Sequence, residues 1–267
     1  MATDLIGYLL AVLVGVSLGL IGSGGSILTV PILVYVMGVN PVLATAYSLF
    51  VVGTTSLVGG VQNAIQKKVD FKTVFIFGIP SIIAVYLTRA YLMPLIPDVI
   101  FSIGNFEVTK PIALMVLFAI VMIFASISMI RPCPHCKDAD AGEIKYNYPM
   151  ILLEGALVGT LTGLVGAGGG FLIIPALVLL AKMPMKLAVG TSLFIIAVKS
   201  LLGFTGDLQG SETIDWTLLS TFTGLSVVGI FIGIFLSKKI EGNKLKFAFG
   251  WFVLVMGIYI LIKELFL

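Results

Sequence analysis

Long apolar runs separated by short polar clusters set the pattern of this chain. Runs long enough to cross a hydrocarbon core of about 30 Å, roughly 20 residues each, cover approximately 43–62, 73–93, 111–130, 187–204, 216–236 and 247–266. Two more apolar blocks, 5–37 and 149–181, are longer, and each is interrupted by glycine. As one straight helix the first block would reach about 50 Å at 1.5 Å per residue, more than a bilayer core needs. A break at Gly22 to Gly25 divides it into arms of about 17 and 12 residues, and the second is short for a crossing. Each block therefore predicts a glycine-tipped re-entrant or short helical hairpin.

The two blocks belong to an internal duplication. Sliding the chain against itself by 144 positions places Gly15, Gly19, Leu20, Gly22, Gly24, Gly25, Leu28, Pro31, Leu33 and Val34 on identical residues between Gly159 and Val178. The same offset superposes Ala44, Ser48, Leu49, Phe50, Ser56, Leu57 and Gly59 on Ala188, Ser192, Leu193, Phe194, Ser200, Leu201 and Gly203. One residue further on in offset, Asp70-Phe71 meets Asp215-Trp216. Composition bias could align leucines, but it would not also align the glycines, the proline and the Asp-aromatic pair.

The relative orientation of the copies follows from where Lys and Arg fall, because cytoplasmic loops carry the excess of both. If each glycine-broken block crosses once, the halves are parallel and the cations split almost evenly between the two sides. If each block enters and leaves on one side, the halves are inverted. Lys67, Lys68, Lys72, Arg131, Lys137, Lys145, Lys182, Lys186, Lys238, Lys239, Lys244 and Lys246 then share a face, against Arg89, Lys110 and Lys263 opposite, with Lys199 inside a span. Twelve against three favours inversion, although hairpins that cross fully would give the same sidedness and ten spans. The expected fold is an all-α polytopic membrane protein of two inverted repeats. Each repeat is a glycine-tipped hairpin followed by three transmembrane helices: 1–130, a cytoplasmic linker 131–147, and 148–267.

Composition agrees with membrane residence. Of 267 residues, 59% are hydrophobic and 11% charged, where a soluble domain has roughly 25% charged, so a water-facing surface cannot be built. The net charge of +3 says less than the placement of the charges, and a nucleic-acid partner is not expected. Met1 to Tyr8 carries Asp4 and no Lys or Arg, and the glycine motif beyond it recurs internally. This stretch reads as structure and not as a cleaved signal peptide.

The tips carry the candidate chemistry. Ser23, Gly24, Gly25 and Ser26 open one helix arm, and Gly168, Gly169 and Gly170 open the other. First-turn N–H groups lack intrahelical partners, the helix dipole adds roughly half a positive charge, and glycine lets an anion approach the backbone. Glycine doublets and triplets destabilise a helix, which separates these tips from Gly15 and Gly19, whose spacing suits close helix packing. Ser48, Thr55 and Gln62 recur every seven residues on one face, matched by Ser192, Lys199 and Gly206. Lys199 reads either as an anion partner within the span or as a side chain snorkelling to the headgroups. Tyr47 and Thr191 align and offer hydroxyls near the tips, while Thr45 has no polar equivalent. Asp70 and Asp215, each before an aromatic-led helix, are N-caps or proton sites.

Cys133-Pro-His-Cys136 lies in the linker. With His135 it supplies three zinc ligands, leaving Asp138, Asp140 or a second subunit to complete the four that tetrahedral zinc needs. Alternatively the loop binds no cofactor, or the thiols serve redox chemistry.

The chain resembles the sulfite exporter TauE/SafE family of membrane proteins. The likeness rests on Gly22-Ser23-Gly24-Gly25-Ser26 running to Pro31 and on Gly163 through Gly168-Gly169-Gly170 to Pro175. Each motif is followed by an Ala-x-x-x-Ser helix and then by Asp70-Phe71 or Asp215-Trp216. Tyr47 departs from the pattern, which has threonine before that serine, and Lys199 is no part of it. The resemblance implies a non-enzymatic secondary transporter, an exporter of sulfite, sulfoacetate or related sulfonates or of other small organic anions, and the residues alone fit a carboxylate equally well. A passive anion channel and a membrane thiol oxidoreductase using the cysteine loop are the alternatives. The expected setting is the plasma membrane with the central loop cytoplasmic. The expected partners are a small anion and the bilayer, with a homodimer left open.

Overall fold

The computed structural model describes residues 2–22, 25–103, 106–130, 148–179, 183–208, 214–237 and 242–266. In the first half, α1 (Ala2–Ile21) turns into α2 (Ser26–Pro31), which continues as a π-helical turn, Ile32–Val36. Then come α3 (Pro41–Ile65) and α4 (Phe71–Leu87), the latter prolonged by a π stretch, Thr88–Leu92, and the single turn α5 (Met93–Leu95). A small antiparallel hairpin of β1 (Val99–Ile103) and β2 (Phe106–Thr109) leads into α6 (Lys110–Ile130). The second half holds α7 (Tyr148–Val165), α8 (Gly170–Leu179), α9 (Met185–Asp207), α10 (Trp216–Ser237) and α11 (Gly242–Phe266). Among the described residues, five helices are long and apolar enough to cross a membrane, starting at Pro41, Phe71, Lys110, Leu187 and Trp216. The all-α polytopic membrane fold read from the sequence is the one observed.

Helix starts are fixed by local chemistry. Asn40 caps α3 through a bond from Val42 N of 2.9 Å, with Pro41 in the first turn. Asp70 caps α4 by accepting from Lys72 N and Thr73 N, each at 3.3 Å. Asp215 does the same for α10, accepting from Thr217 N and Leu218 N, each at 3.0 Å. Both aspartates act as N-caps. The β-hairpin was not anticipated; Val99 to Thr109 is rich in β-branched and aromatic residues, too short for a span, and pairs with itself.

Glycine governs how the helices meet. α1 and α10 run parallel, with Gly15 and Gly19 facing Gly229 and Gly233 so closely that a Cβ would strike the carbonyls of Ser226 and Ile230. α4 and α7 repeat this contact, Gly155 against Phe77 and Gly159 against Ser81. Without a hydrophobic drive between helices in lipid, this close approach supplies van der Waals attraction, and Ser226 Oγ adds a bond to Ala11 O at 3.0 Å. Between the two pairs lies the seam of α3 and α9, the most buried spans, at 67% each. They cross antiparallel, Gly53 beside Leu201, Gly60 beside Phe194 and Gly203 beside Leu49. Large apolar side chains such as Phe75, Ile79 and Ile83 on α4 and Phe231 and Phe235 on α10 are exposed on the outside, where lipid meets them.

Two glycines of α10 give a direct test. Gly229→Ala places a methyl group on the Val12 carbonyl, whereas Gly224 has open space around it. Gly229→Ala is expected to cost about 1–3 kcal/mol, and Gly224→Ala to leave stability equal or slightly higher. Thermal melting of the detergent-solubilised variants reads this; equal melting of the two would refute the packing role.

Candidate functional site

Each hairpin turns on a left-handed glycine. Gly22 (φ 85°) ends α1 with its N–H on Leu18 O, and Gly166 (φ 75°) ends α7 with its N–H on Thr162 O, both at 2.8 Å. The second tip adds two more left-handed residues, Gly168 (φ 65°) and Gly169 (φ 62°), before Gly170 opens α8. Only glycine takes such a succession without strain. Gly25 lies tight against the Ser17 hydroxyl and the α1 backbone, and Gly169 against the Thr162 hydroxyl, so neither has room for a side chain.

The tips converge on the seam. A Cβ on Gly168 would meet Val52 of α3, Ile196 of α9 and, at 3.5 Å, the Cβ of Ser26 at the other tip. Gly22 abuts Val189 in the first turns of α9, and Gly166 abuts Thr45 in the first turns of α3. Ser26 and Gly170 are both buried. Ser23 and Gly24 lie outside the described residues, as do Cys133, His135 and Cys136.

Lys199 reaches this place from α9. It is fully buried, and its Nζ donates to Thr162 Oγ1 at 3.0 Å, next to Gly169. Thr162 Oγ1 passes its own proton to Val158 O at 2.6 Å. Among the described residues no carboxylate pairs with Lys199. The side chain thus points into the protein and does not snorkel. At the equivalent place in α3, Thr55 is buried and donates to Val51 O at 2.6 Å. Ser48 Oγ is buried with no partner among the described residues, whereas Ser192 Oγ donates to Val189 O at 2.9 Å. Gln62 leaves its carbonyl oxygen unpartnered, and Gly206 packs against Arg89.

Tyr47 and Thr191 form a matched pair of clamps. Tyr47 OH accepts from Asp215 N at 2.6 Å, and Thr191 Oγ1 accepts from Asp70 N at 2.9 Å. Each hydroxyl therefore holds the capping aspartate of the opposite half, tying α3 to α10 and α9 to α4.

Arg89 corrects the charge reading. It was assigned to the outer surface, with Lys199 taken as the lone cation well inside a span, yet its side chain is 0% exposed. Its Nη1 lies 3.1 Å from Thr45 Oγ1 and 3.3 Å from Asp207 Oδ1. Counting charges by loop misses this because the ion pair joins positions 118 apart. The available signal was that Arg89 falls inside the apolar run 73–93.

Spans with lipid-facing apolar exteriors around a buried polar seam define a polytopic helical membrane protein. The chain belongs to the sulfite exporter TauE/SafE family, whose model matches residues 7–260. It is 30% identical over 253 residues to a "Probable membrane transporter protein" of Xylella fastidiosa, covering 93% of this chain and 91% of that one. It is 27% identical to a Bacillus subtilis protein of similar name (96% and 97% covered) and 29% identical to one from Methanocaldococcus jannaschii (95% of each). No solved structure matches the chain.

An ammonium buried against one hydroxyl carries a desolvation cost that no counter-charge repays. Lys199→Met keeps the length and leaves Thr162 bonded to Val158 O. In the absence of anion it is expected to raise stability by about 1–4 kcal/mol. A lower melting temperature would show that Lys199 is a structural tie.

Proposed function

We propose that the chain is a secondary transporter that binds a small sulfur-containing anion, such as sulfite or a sulfonate, between the two glycine tips. The observation that carries this reading is Lys199, a buried cation with no carboxylate partner among the described residues, beside the left-handed glycines that lead into α8. An anion there would meet the ammonium, the N–H groups of the first turn of α8 and the positive end of its dipole. Tetrahedral oxyanions suit several convergent donors. The family and the names of the relatives support transport; the choice of sulfur oxyanion rests on the family's description and on this chemistry.

The proposed topology is inverted. It is supported by the antiparallel crossing of α3 and α9, which are copies of one another, and by the division of loop cations, twelve against Lys110 and Lys263 once Arg89 is set aside as buried. On that topology the chain sits in the plasma membrane with 131–147 cytoplasmic and exports its substrate. The crevice beside Gly169, lined by Val121, Leu161, Thr162, Val165, Ala167 and Leu172, is too narrow for water. Substrate entry beside Gly169 therefore requires the surrounding side chains or helices to move. The reading needs no cofactor and no enzymatic step.

Melting of the purified protein in sulfite, thiosulfate, sulfoacetate, taurine and matching carboxylates tests it. A hundredfold excess of ligand over Kd is expected to add about 2.7 kcal/mol of stability. That gain should be seen with sulfur oxyanions and clearly reduced in Lys199→Gln, while Cys133→Ser with Cys136→Ser keeps it in full. Equal gains from carboxylates would remove the substrate assignment. Retained gains in both Lys199→Gln and Gly168→Leu would leave the tips a structural device.

A further inference from the structure

The Arg89 cluster lies where the start of α3 meets the end of α9, and among the described residues it is only partly satisfied. Arg89 comes from the π stretch that prolongs α4, Thr45 from α3 and Asp207 from the end of α9. Arg89 Nη1 serves both neighbours, while Nε and Nη2 have no partner among the described residues, nor does Asp207 Oδ2. The guanidinium is therefore held by one corner. Its remaining edge, Nε–H with Nη2–H, is the fork that accepts two oxygens of a single carboxylate, sulfonate or related oxyanion.

The other copy of the repeat lacks these groups. At equivalent positions in the other half stand Val189 for Thr45 and Asn63 for Asp207, at an offset of 144, and Ile234 for Arg89 at 145. Asn63 there simply bonds its own helix, Nδ2 to Gly59 O at 2.8 Å. The same backbone arrangement is thus built on an apolar and neutral set at one end and on a buried ion pair at the other. Thr45 also presses its backbone on Gly166, the residue that ends α7, so the cluster touches the second tip directly.

We infer that Arg89 is a second oxyanion-binding position, which takes the anion through the Nε/Nη2 edge that has no partner among the described residues, while Asp207 holds the opposite corner. Asp207 follows Lys199 by eight residues on α9, so the two positions lie about 12 Å apart along that helix. An anion leaving the tips would find the next cation at that distance. The ligand class rests on the transporter reading above, but the binding position does not depend on Lys199.

Calorimetric titration of the purified full chain with sulfite separates the two. Wild type is expected to show two binding events. Arg89→Lys keeps the charge and the reach to Asp207 but removes the fork, and should weaken one event about tenfold or more while sparing the other. Asp207→Asn removes the competing carboxylate and should strengthen that same event several-fold. Lys199→Gln should delete only the other one. Two unchanged events in Arg89→Lys would overturn the inference, as would Asp207→Asn that melts earlier and binds no better. A single event abolished by Lys199→Gln and untouched by Arg89→Lys would overturn it while leaving the proposed function standing. Two events unaltered by Lys199→Gln would overturn the tip reading alone.

Discussion

Broken backbone inside a membrane must be covered by protein, because lipid satisfies no hydrogen bond. Gly22, Gly166, Gly168 and Gly169 leave helical geometry at the tips, and everything around them serves that cover. The cover comes from α3 and α9, the two most buried spans, whose early turns meet Gly166 and Gly22. Those spans are themselves held by the outer pairs, α1 with α10 and α4 with α7, where glycine lets backbones touch. The Tyr47 and Thr191 clamps complete the chain of constraint by fixing the start of α10 and α4 to the seam. Movement at the tips is therefore coupled through α3 and α9 to the lipid-facing helices.

Much of this was legible because duplication writes each structural rule twice. The breaks at the two tips, the long first arm and the short second arm all follow from glycine clusters that recur at a fixed offset inside apolar blocks too long for one crossing. The caps at Asp70 and Asp215 were legible for the same reason, as an acidic residue before an aromatic recurs at a fixed offset. The β-hairpin lacked a second copy to reveal it. Arg89 was hidden because its position inside an apolar run looked like the end of a span. The π stretch Thr88–Leu92 carries the helix on, and the ion pair with Asp207 forms only when α4 meets α9. The Tyr47 clamp was likewise invisible, since the partner of its hydroxyl is a backbone N–H 168 positions away.

Where the copies differ is as informative as where they agree. Thr55 against Lys199, Ile234 against Arg89 and Asn63 against Asp207 show that one half places charge where the other is neutral. Each neutral member closes its hydrogen bonds within its own helix or needs none, as Thr55 does on Val51 O. The internal charge of the seam is thus confined to one member of each pair and is no part of what the two repeats share.

That charge is costly enough to demand a reason. The effective penalty for taking one ion out of water into protein is several kcal/mol, and a buried pair often does no better than apolar residues of equal volume. Lys199 has one hydroxyl in return, and Arg89 has one hydroxyl and a single carboxylate oxygen at 3.3 Å. Neither arrangement recovers the penalty from the contacts the chain itself supplies. Total stabilities are only about 5–15 kcal/mol, so two such deficits weigh heavily on a fold of this size. A ligand of opposite charge is the group that would balance both. The under-satisfied cations, more than the glycine tips alone, are what the proposed role of the seam in anion transport rests on.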